Sequence, residues 1–241
     1  FRYLNLLDTV PLSRLDEKGY DILSIAGKQY QYASGYDRFI ETLSQQFPNN
    51  HTDLQEYVRK LKAIADASPL YNLRKVEENV FIEADYIKTS INDFIASITD
   101  NYELQNVLAG NLPLYAGVKD KTPTYIHALI NNFYIQSAWR IVGGSDCIAK
   151  SLANSIRGFG GEIRNNCEVS EIVCDDTHAV GIRLTDGNYI EANAFISNIH
   201  PQATIAMIDS HLIRKAYRAR INDLDNTISN FTLYIKFKEK A

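Results

Sequence analysis

Sulfur and proline are scarce in this 241-residue chain, which has three cysteines, one methionine and six prolines. Cys147, Cys167 and Cys174 form no C-x-x-C pair and no even-numbered framework, which excludes a disulfide scaffold and a cysteine-based zinc site and favours free thiols in a reducing compartment. No apolar run approaches the roughly 20 residues of a membrane-spanning helix. No secretory leader opens the sequence, although it begins at Phe1 rather than at Met. A cytoplasmic location is the resulting expectation. Positive charge is not in excess: 25 Lys and Arg stand against 29 Asp and Glu, for a net charge of -4. Nucleic acid, which demands a basic face, is therefore excluded as a partner. No internal repeat or low-complexity tract occurs. The phosphate-cradling patterns G-x-G-x-x-G and G-x-x-x-x-G-K are missing, as is the nucleophile elbow G-x-S-x-G. His51, His127, His178, His200 and His211 share no metal-ligand spacing, so no metal is expected. No side chain presents itself as a catalytic acid or base.

Fifteen tyrosines and ten phenylalanines are present. They suit either a packed core or the walls of an apolar cleft. Residues 20–26 and 29–32 read as a hairpin turning at Gly27-Lys28. Tyr36, Phe39, Ile40, Leu43 and Phe47 then fall on one helical face, with Ser34 as cap and Pro48 as stop. Thr52 and Gln55 form a capping-box pattern ahead of a stripe of Leu54, Val58, Leu61 and Ala65. Further helices are expected from about Tyr86 through Ile98, over residues 103–109, and around Ile126, Leu129, Ile130 and Phe133. A helix over residues 146–157 is followed by an extended stretch at 162–165. Strands are expected at 168–174, 179–184 and 188–191, with Asp186-Gly187 as the strongest hairpin signal. A short buried strand is expected at 194–196, one helix over 205–221, and a last strand over 228–237 that shares a sheet with the first hairpin.

The stretch WRIVGGSDCIAKSLANSIRGFGGEI, residues 139–163, has a glycine pair at each end of its helix. Neither pair has dinucleotide spacing, and Asp146 would repel phosphate while capping free N–H groups. Gly160-Gly161 reads as a C-terminal stop. Gly143-Gly144 permits close approach of backbone to a ligand or a neighbouring helix.

Val142-Gly143-Gly144, the helix, Gly160-Gly161-Glu162-Ile163 and Val169-Ser170-Glu171-Ile172 follow one another in order. Val180-Gly181-Ile182-Arg183-Leu184, Asp186-Gly187, Ile190-Glu191-Ala192 and Ile196-Ser197-Asn198-Ile199-His200-Pro201 come after them. This succession resembles the phytoene desaturase family of flavoproteins, which includes carotenoid desaturases, carotenoid isomerases and retinol saturase-like enzymes. Tyr36-Asp37-Arg38-Phe39 through Phe47-Pro48 is similar to the family's segment after its first flavin-domain unit. The family's N-terminal G-x-G-x-x-G unit and its C-terminal flavin-contacting segment have no counterpart here, so the chain resembles the middle of a longer protein.

The resemblance implies a mixed α+β and α/β fold, with a substrate-side domain of helices and antiparallel sheet over residues 1–140 and 210–241. It implies a partial, Rossmann-like FAD-binding segment over 141–209. Val169 would present its main chain to the adenine, Ser197 and Asn198 would neighbour the cofactor, and Gly143 and Gly144 would lie between flavin and substrate. Tyr115, Tyr125, Phe133, Tyr134 and Trp139 would line a channel for a polyene. The implied activity of the parent is FAD-dependent desaturation, saturation or isomerisation of carbon–carbon bonds in an isoprenoid, carotenoid or retinoid-like lipid, with peripheral contact to membranes. Two alternatives stay open: a non-catalytic lipid or polyene carrier, and an amine-oxidase-like flavoenzyme.

Overall fold

A computed structural model describes residues 1–75, 84–227, 229, 231, 233 and 235. The strand expected over 228–237, and with it the shared sheet, falls largely outside the described residues. The chain divides into two units, one of residues 1–151 with 227–241 and one of residues 152–226. The sequence places the corresponding changes near 140 and 209.

The first unit opens with β1 (Leu12–Arg14), β2 (Asp21–Ile25) and β3 (Lys28–Tyr32). β2 and β3 pair antiparallel from Asp21↔Tyr32 to Ile25↔Lys28. The turn is therefore Ala26-Gly27, one residue earlier than the glycine alone suggests. Both turn residues have positive φ, 49° and 79°, the signature of the two-residue turn whose twist matches the strands. Alanine is poorly suited to that conformation and asparagine tolerates it. Ala26→Asn is thus expected to stabilise the protein by about 0.5–1 kcal/mol, seen as a higher denaturant midpoint at unchanged slope.

Helix α1 (Tyr36–Ser44) starts from Gly35 at φ 95° without a side-chain cap. The expected cap, Ser34, is instead buried. Helix α2 (His51–Asp66) starts one residue before Thr52, and no side chain caps it. The capping box fails because Asn50 holds that corner, donating to Asp53 at 2.8 Å and to Thr99 at 3.2 Å. The stripe of Leu54, Val58, Leu61 and Ala65 is buried as expected. The helix expected from Tyr86 to Ile98 is two, α3 (Ala84–Lys88) and α4 (Ile91–Ala96). Ser90 interrupts it by capping α4, accepting from the Asp93 N–H at 3.2 Å, an alternative its short side chain offers the backbone. Then come α5 (Tyr102–Leu108), α6 (Thr124–Gln136) and β4 (Trp139–Ile141), the last paired antiparallel with β1.

The core of this unit is aromatic. Tyr32, Phe39, Tyr57 and Phe94 follow one another at ring-centroid spacings of 5.5, 6.4 and 6.3 Å. The Tyr32 hydroxyl is satisfied by the Val107 carbonyl. Many of the tyrosines are therefore core residues.

Helix α7 (Asp146–Gly158) leads into the second unit. Gly160 at φ 82° ends it, with the Gly161 N–H returning to the Ile156 carbonyl at 2.8 Å. Strands β5 (Val169–Cys174), β6 (Ala179–Leu184) and β7 (Tyr189–Glu191) form an antiparallel meander. Asp186-Gly187 closes its second hairpin, Gly187 at φ 88°. Residues 162–165 and 194–196 form no strand, and Ile196 is 99% exposed. An apolar trio needs flanking strands to become a buried one, and none flanks it among the described residues. The helix expected over 205–221 is two, α8 (Pro201–Ala206) and α9 (Lys215–Asn222). They cap each other. Arg218 of α9 donates to the Ile205 and Ile208 carbonyls at 2.7 and 2.8 Å, and Gln202 of α8 donates to the Ile221 and Asn222 carbonyls at 3.2 and 3.0 Å.

Candidate functional site

The geometry of interest in the second unit starts with the direction of one peptide. The Thr185 N–H donates to the Glu168 carbonyl at 2.9 Å, and Val169 lies opposite Leu184. In an antiparallel ladder, neighbouring residues alternate between facing the partner strand and facing away. Val169 therefore turns its own N–H and C=O to the edge of β5 opposite β6. The same edge is closed further along, where the Ile172 N–H donates to the Met207 carbonyl at the end of α8, at 2.9 Å.

Between β5, the 195–199 segment and α8 lies a cavity of about 810 Å³, whose lining includes Val169, Phe195, Ser197, Asn198, Ala203 and Met207. Its walls are mostly apolar and a few polar groups converge on it, the usual make-up of a ligand site. The Ser197 hydroxyl is tied to the Thr204 hydroxyl at 2.7 Å, which fixes the segment to α8. Asn198 is exposed, and no side-chain hydrogen bond holds it among the described residues. Three of the five residues singled out from the sequence, Val169, Ser197 and Asn198, thus meet at one cavity.

Gly143 and Gly144 belong to the first unit. Both have positive φ, 85° and 108°, so a turn that side chains disfavour joins β4 to α7. The space a side chain would take at Gly143 is open. Asp146 is ion-paired with Lys150 at 2.5 Å. That bond, followed by the helix's own first N–H groups, holds its carboxyl below the usual range.

The aromatic run splits. Tyr115 and Tyr125 pack against the core. Phe133, Tyr134 and Trp139 are exposed, with Phe133 against Tyr71 at 4.3 Å and Tyr134 stacked on Tyr20 at 6.1 Å.

The sequence did not single out the polar centre of this unit. Helix α6 buries Thr124, His127, Asn131 and Asn132, while its expected inner face of Ile126, Leu129, Ile130 and Phe133 is half-buried to exposed. His127 Nε2 bonds the Tyr57 hydroxyl and Nδ1 the Tyr115 hydroxyl, both at 2.8 Å. Burial pushes the imidazole pKa down to about 3. Asn111 donates to Asn131 Oδ1 at 2.7 Å, which turns the Asn131 NH₂ toward His127 Nδ1 at 3.1 Å. The same NH₂ also donates to the His127 backbone carbonyl at 2.8 Å. The spacing 124, 127, 131 was the available signal, a polar stripe at helical period.

No cluster of metal ligands occurs among the described residues, and no helix among them is long and apolar enough to cross a membrane.

A sequence profile described as flavin-containing amine oxidoreductase matches residues 2–241. The chain is 24% identical over 196 residues to the all-trans-retinol 13,14-reductase of Danio rerio, which covers 75% of this chain and 31% of that one. It is 23% identical over 208 residues to the phytoene desaturase (neurosporene-forming) of Cereibacter sphaeroides, covering 85% of this chain and 38% of the relative. The chain therefore spans about a third of the length of these relatives. A solved protein from Pyrococcus furiosus superposes with a TM-score of 0.62 at 17% identity, covering 93% of this chain and 49% of that one, and shares the fold. Matched over nearly its whole length, the chain belongs to the flavin-containing amine oxidoreductase family.

Proposed function

We propose that the complete protein is an FAD-dependent oxidoreductase acting on carbon–carbon double bonds of an apolar isoprenoid of the carotenoid or retinoid kind. In this reading the chain supplies the substrate-side domain and one part of the flavin domain. The relatives named above are a reductase of retinol and a desaturase of phytoene, both polyenes. The observation that carries the cofactor half is the outward-facing peptide of Val169 at the rim of a cavity it shares with Ser197 and Asn198. A purine edge offers a donor beside an acceptor, and the N–H and C=O of one strand-edge residue match that pair whatever the side chain. The volume and apolar walls suit a planar heterocycle.

When bound, the flavin supplies the hydride exchange. This chain's residues do the positioning. Val169 holds the adenine by main-chain atoms, Ser197 anchors the cavity wall through Thr204, and Asn198 adds a free amide at the rim. Gly143 and Gly144 form a turn in which no side chain obstructs a ligand's approach to the backbone. Exposed Phe133, Tyr134 and Trp139 form part of the apolar approach for the substrate. His127 takes no part, because it is sealed in the core and neutral.

The test is to purify the complete protein, identify the released chromophore by absorbance and mass, and follow bleaching or recovery of the flavin colour on mixing anaerobically with all-trans-retinol or phytoene. Bound FAD whose colour responds to a polyene is the expected result. Protein that is isolated without flavin and cannot be reconstituted would overturn the reading and leave the carrier. FAD that responds only to an amine would move the substrate to the amine-oxidase class.

A further inference from the structure

The loop that follows α2 holds one side chain firmly in place. Ser68 returns its hydroxyl to the Ile64 carbonyl at 2.8 Å, and the Asn72 amide donates to the Ala65 and Ser68 carbonyls at 2.8 and 2.9 Å. The carbonyls of Ile64 and Ala65 end the helix ladder and need partners from outside it. Tyr71, between Ser68 and Asn72, reaches α6, where its oxygen accepts from Asn132 Nδ2 at 3.0 Å. Asn132 is buried and accepts in turn from the Tyr36 hydroxyl at 2.7 Å, whose oxygen accepts from Gln136 Nε2 at 3.0 Å. Gln136, Tyr36, Asn132 and Tyr71 thus form one hydrogen-bonded line, and such lines polarise along their length. This one ends on a proton: the Tyr71 O–H has no acceptor among the described residues. Burial holds the phenol above its ordinary pKa, so the group stays a donor at neutral pH.

The neighbourhood of that proton is apolar. The Tyr71 ring lies 4.3 Å from the ring of Phe133, which is 56% exposed, and Leu70 and Leu73, on either side of Tyr71 in the loop, are exposed as well. A pure hydrocarbon lying on Phe133 leaves the O–H unused, whereas a polyene that ends in oxygen gives it an acceptor. We infer that Tyr71 binds the terminal oxygen of the polyene, so that the substrate is an alcohol or carbonyl compound of the retinoid kind and not a hydrocarbon. The inference rests on the apolar polyene proposed above and continues its approach surface of Phe133, Tyr134 and Trp139. Phe133 contacts either class alike, and the O–H alone tells them apart. A donor placed for a substrate oxygen discriminates against the analogue that lacks it, which apolar contacts do only weakly. Asn132 and Tyr36 are positioning residues that act through Tyr71.

The test is equilibrium binding to the complete protein, read from the fluorescence of the polyene itself, with all-trans-retinol and with its analogue carrying a methyl group in place of the terminal CH₂OH. It reads binding without flavin reduction or turnover, so its outcome is separate from that of the proposed activity. The parent is expected to bind retinol about tenfold more tightly than the analogue, the weight of one hydrogen bond. Tyr71→Phe keeps the ring against Phe133 and should bring that ratio to about one by weakening retinol alone. Phe133→Ser, at an exposed position, should weaken both ligands alike and leave the ratio at about tenfold. Both ligands are measured on one preparation, so an unfolded fraction lowers both equally and leaves the ratio unchanged. Equal affinities in the parent, a ratio that survives Tyr71→Phe, or an equal loss of both ligands in that variant would overturn the inference and leave the polyene substrate standing. Binding of neither polyene would overturn the inference and the substrate reading together.

Discussion

His127→Leu is expected to remove about 2–6 kcal/mol of stability, because two tyrosine hydroxyls would lose their partner, each at about 1–3 kcal/mol. Tyr57 is buried and its hydroxyl meets Nε2; Tyr115 meets Nδ1. Replacing all three by Tyr57→Phe, Tyr115→Phe and His127→Leu together should recover most of the loss, since an apolar core of similar shape leaves no orphaned group. Such non-additivity is the mark of one network. A simple sum of the single effects, read by urea denaturation, would show that the hydrogen bonds contribute little.

The same histidine sets a pH dependence. Its pKa is about 3 in the folded protein and near the ordinary 6.5 when unfolded, the cause being burial. Between those values the unfolded chain binds the extra proton. Stability is therefore fully present above about pH 6.5 and falls with pH, by up to about 1.4 kcal/mol per unit. Glu56 and Glu103, held below their ordinary value by Arg59 and by Lys28 respectively, act in the same direction but only from the carboxylate range downward. The interval from pH 6.5 to 5 thus isolates His127. Denaturant midpoints across that interval should slope in the parent and lie flat in His127→Leu; an unchanged slope would assign the effect elsewhere.

The largest expected effect on function concerns a main-chain atom. Val169 is the first residue of β5, a position where proline is tolerated in a sheet. Its N–H faces away from β6, so Val169→Pro removes a donor to the cavity and leaves the ladder intact. In the complete protein, FAD affinity should drop roughly ten- to a hundredfold, the usual weight of a buried hydrogen bond left unmade. Val169→Ile should bind as the parent does, because the side chain is not what recognises the purine. Ala203→Phe, which projects a ring into the same cavity, should prevent retention of flavin on a desalting column. Flavin titration of the three variants checks this. Unimpaired binding by both Val169→Pro and Ala203→Phe would place the cofactor elsewhere.

Much of this was legible before any coordinates. Period-two and period-3.6 patterns gave the first hairpin, the stripe of α2, helix α7 and the 169–191 meander, because their spacing is local; in α2 the stripe is buried, whereas α7 buries only Ser151 and leaves its apolar residues half-buried or exposed. Gly160 and Gly187 announced their turns for a similar reason: a left-handed backbone is favoured by one residue type. The resemblance singled out Val169, Ser197 and Asn198, and the folded chain brings the three to one cavity.

What the sequence could not say was decided at a distance. Helix α6 buries its polar side because Tyr57 and Tyr115, from other parts of the chain, arrive to bond His127, and periodicity weighs hydrophobicity but not partners. The capping box at Thr52 and the single helices over 86–98 and 205–221 gave way to Asn50, Ser90 and the Arg218–Gln202 exchange, each a side chain competing for backbone groups. The 194–196 segment has the composition of a strand, yet a strand is a pairing and not a composition. Likewise, which edge of β5 leaves the Val169 N–H and C=O unpaired by β6 is fixed by ladder parity, and only the folded chain has it.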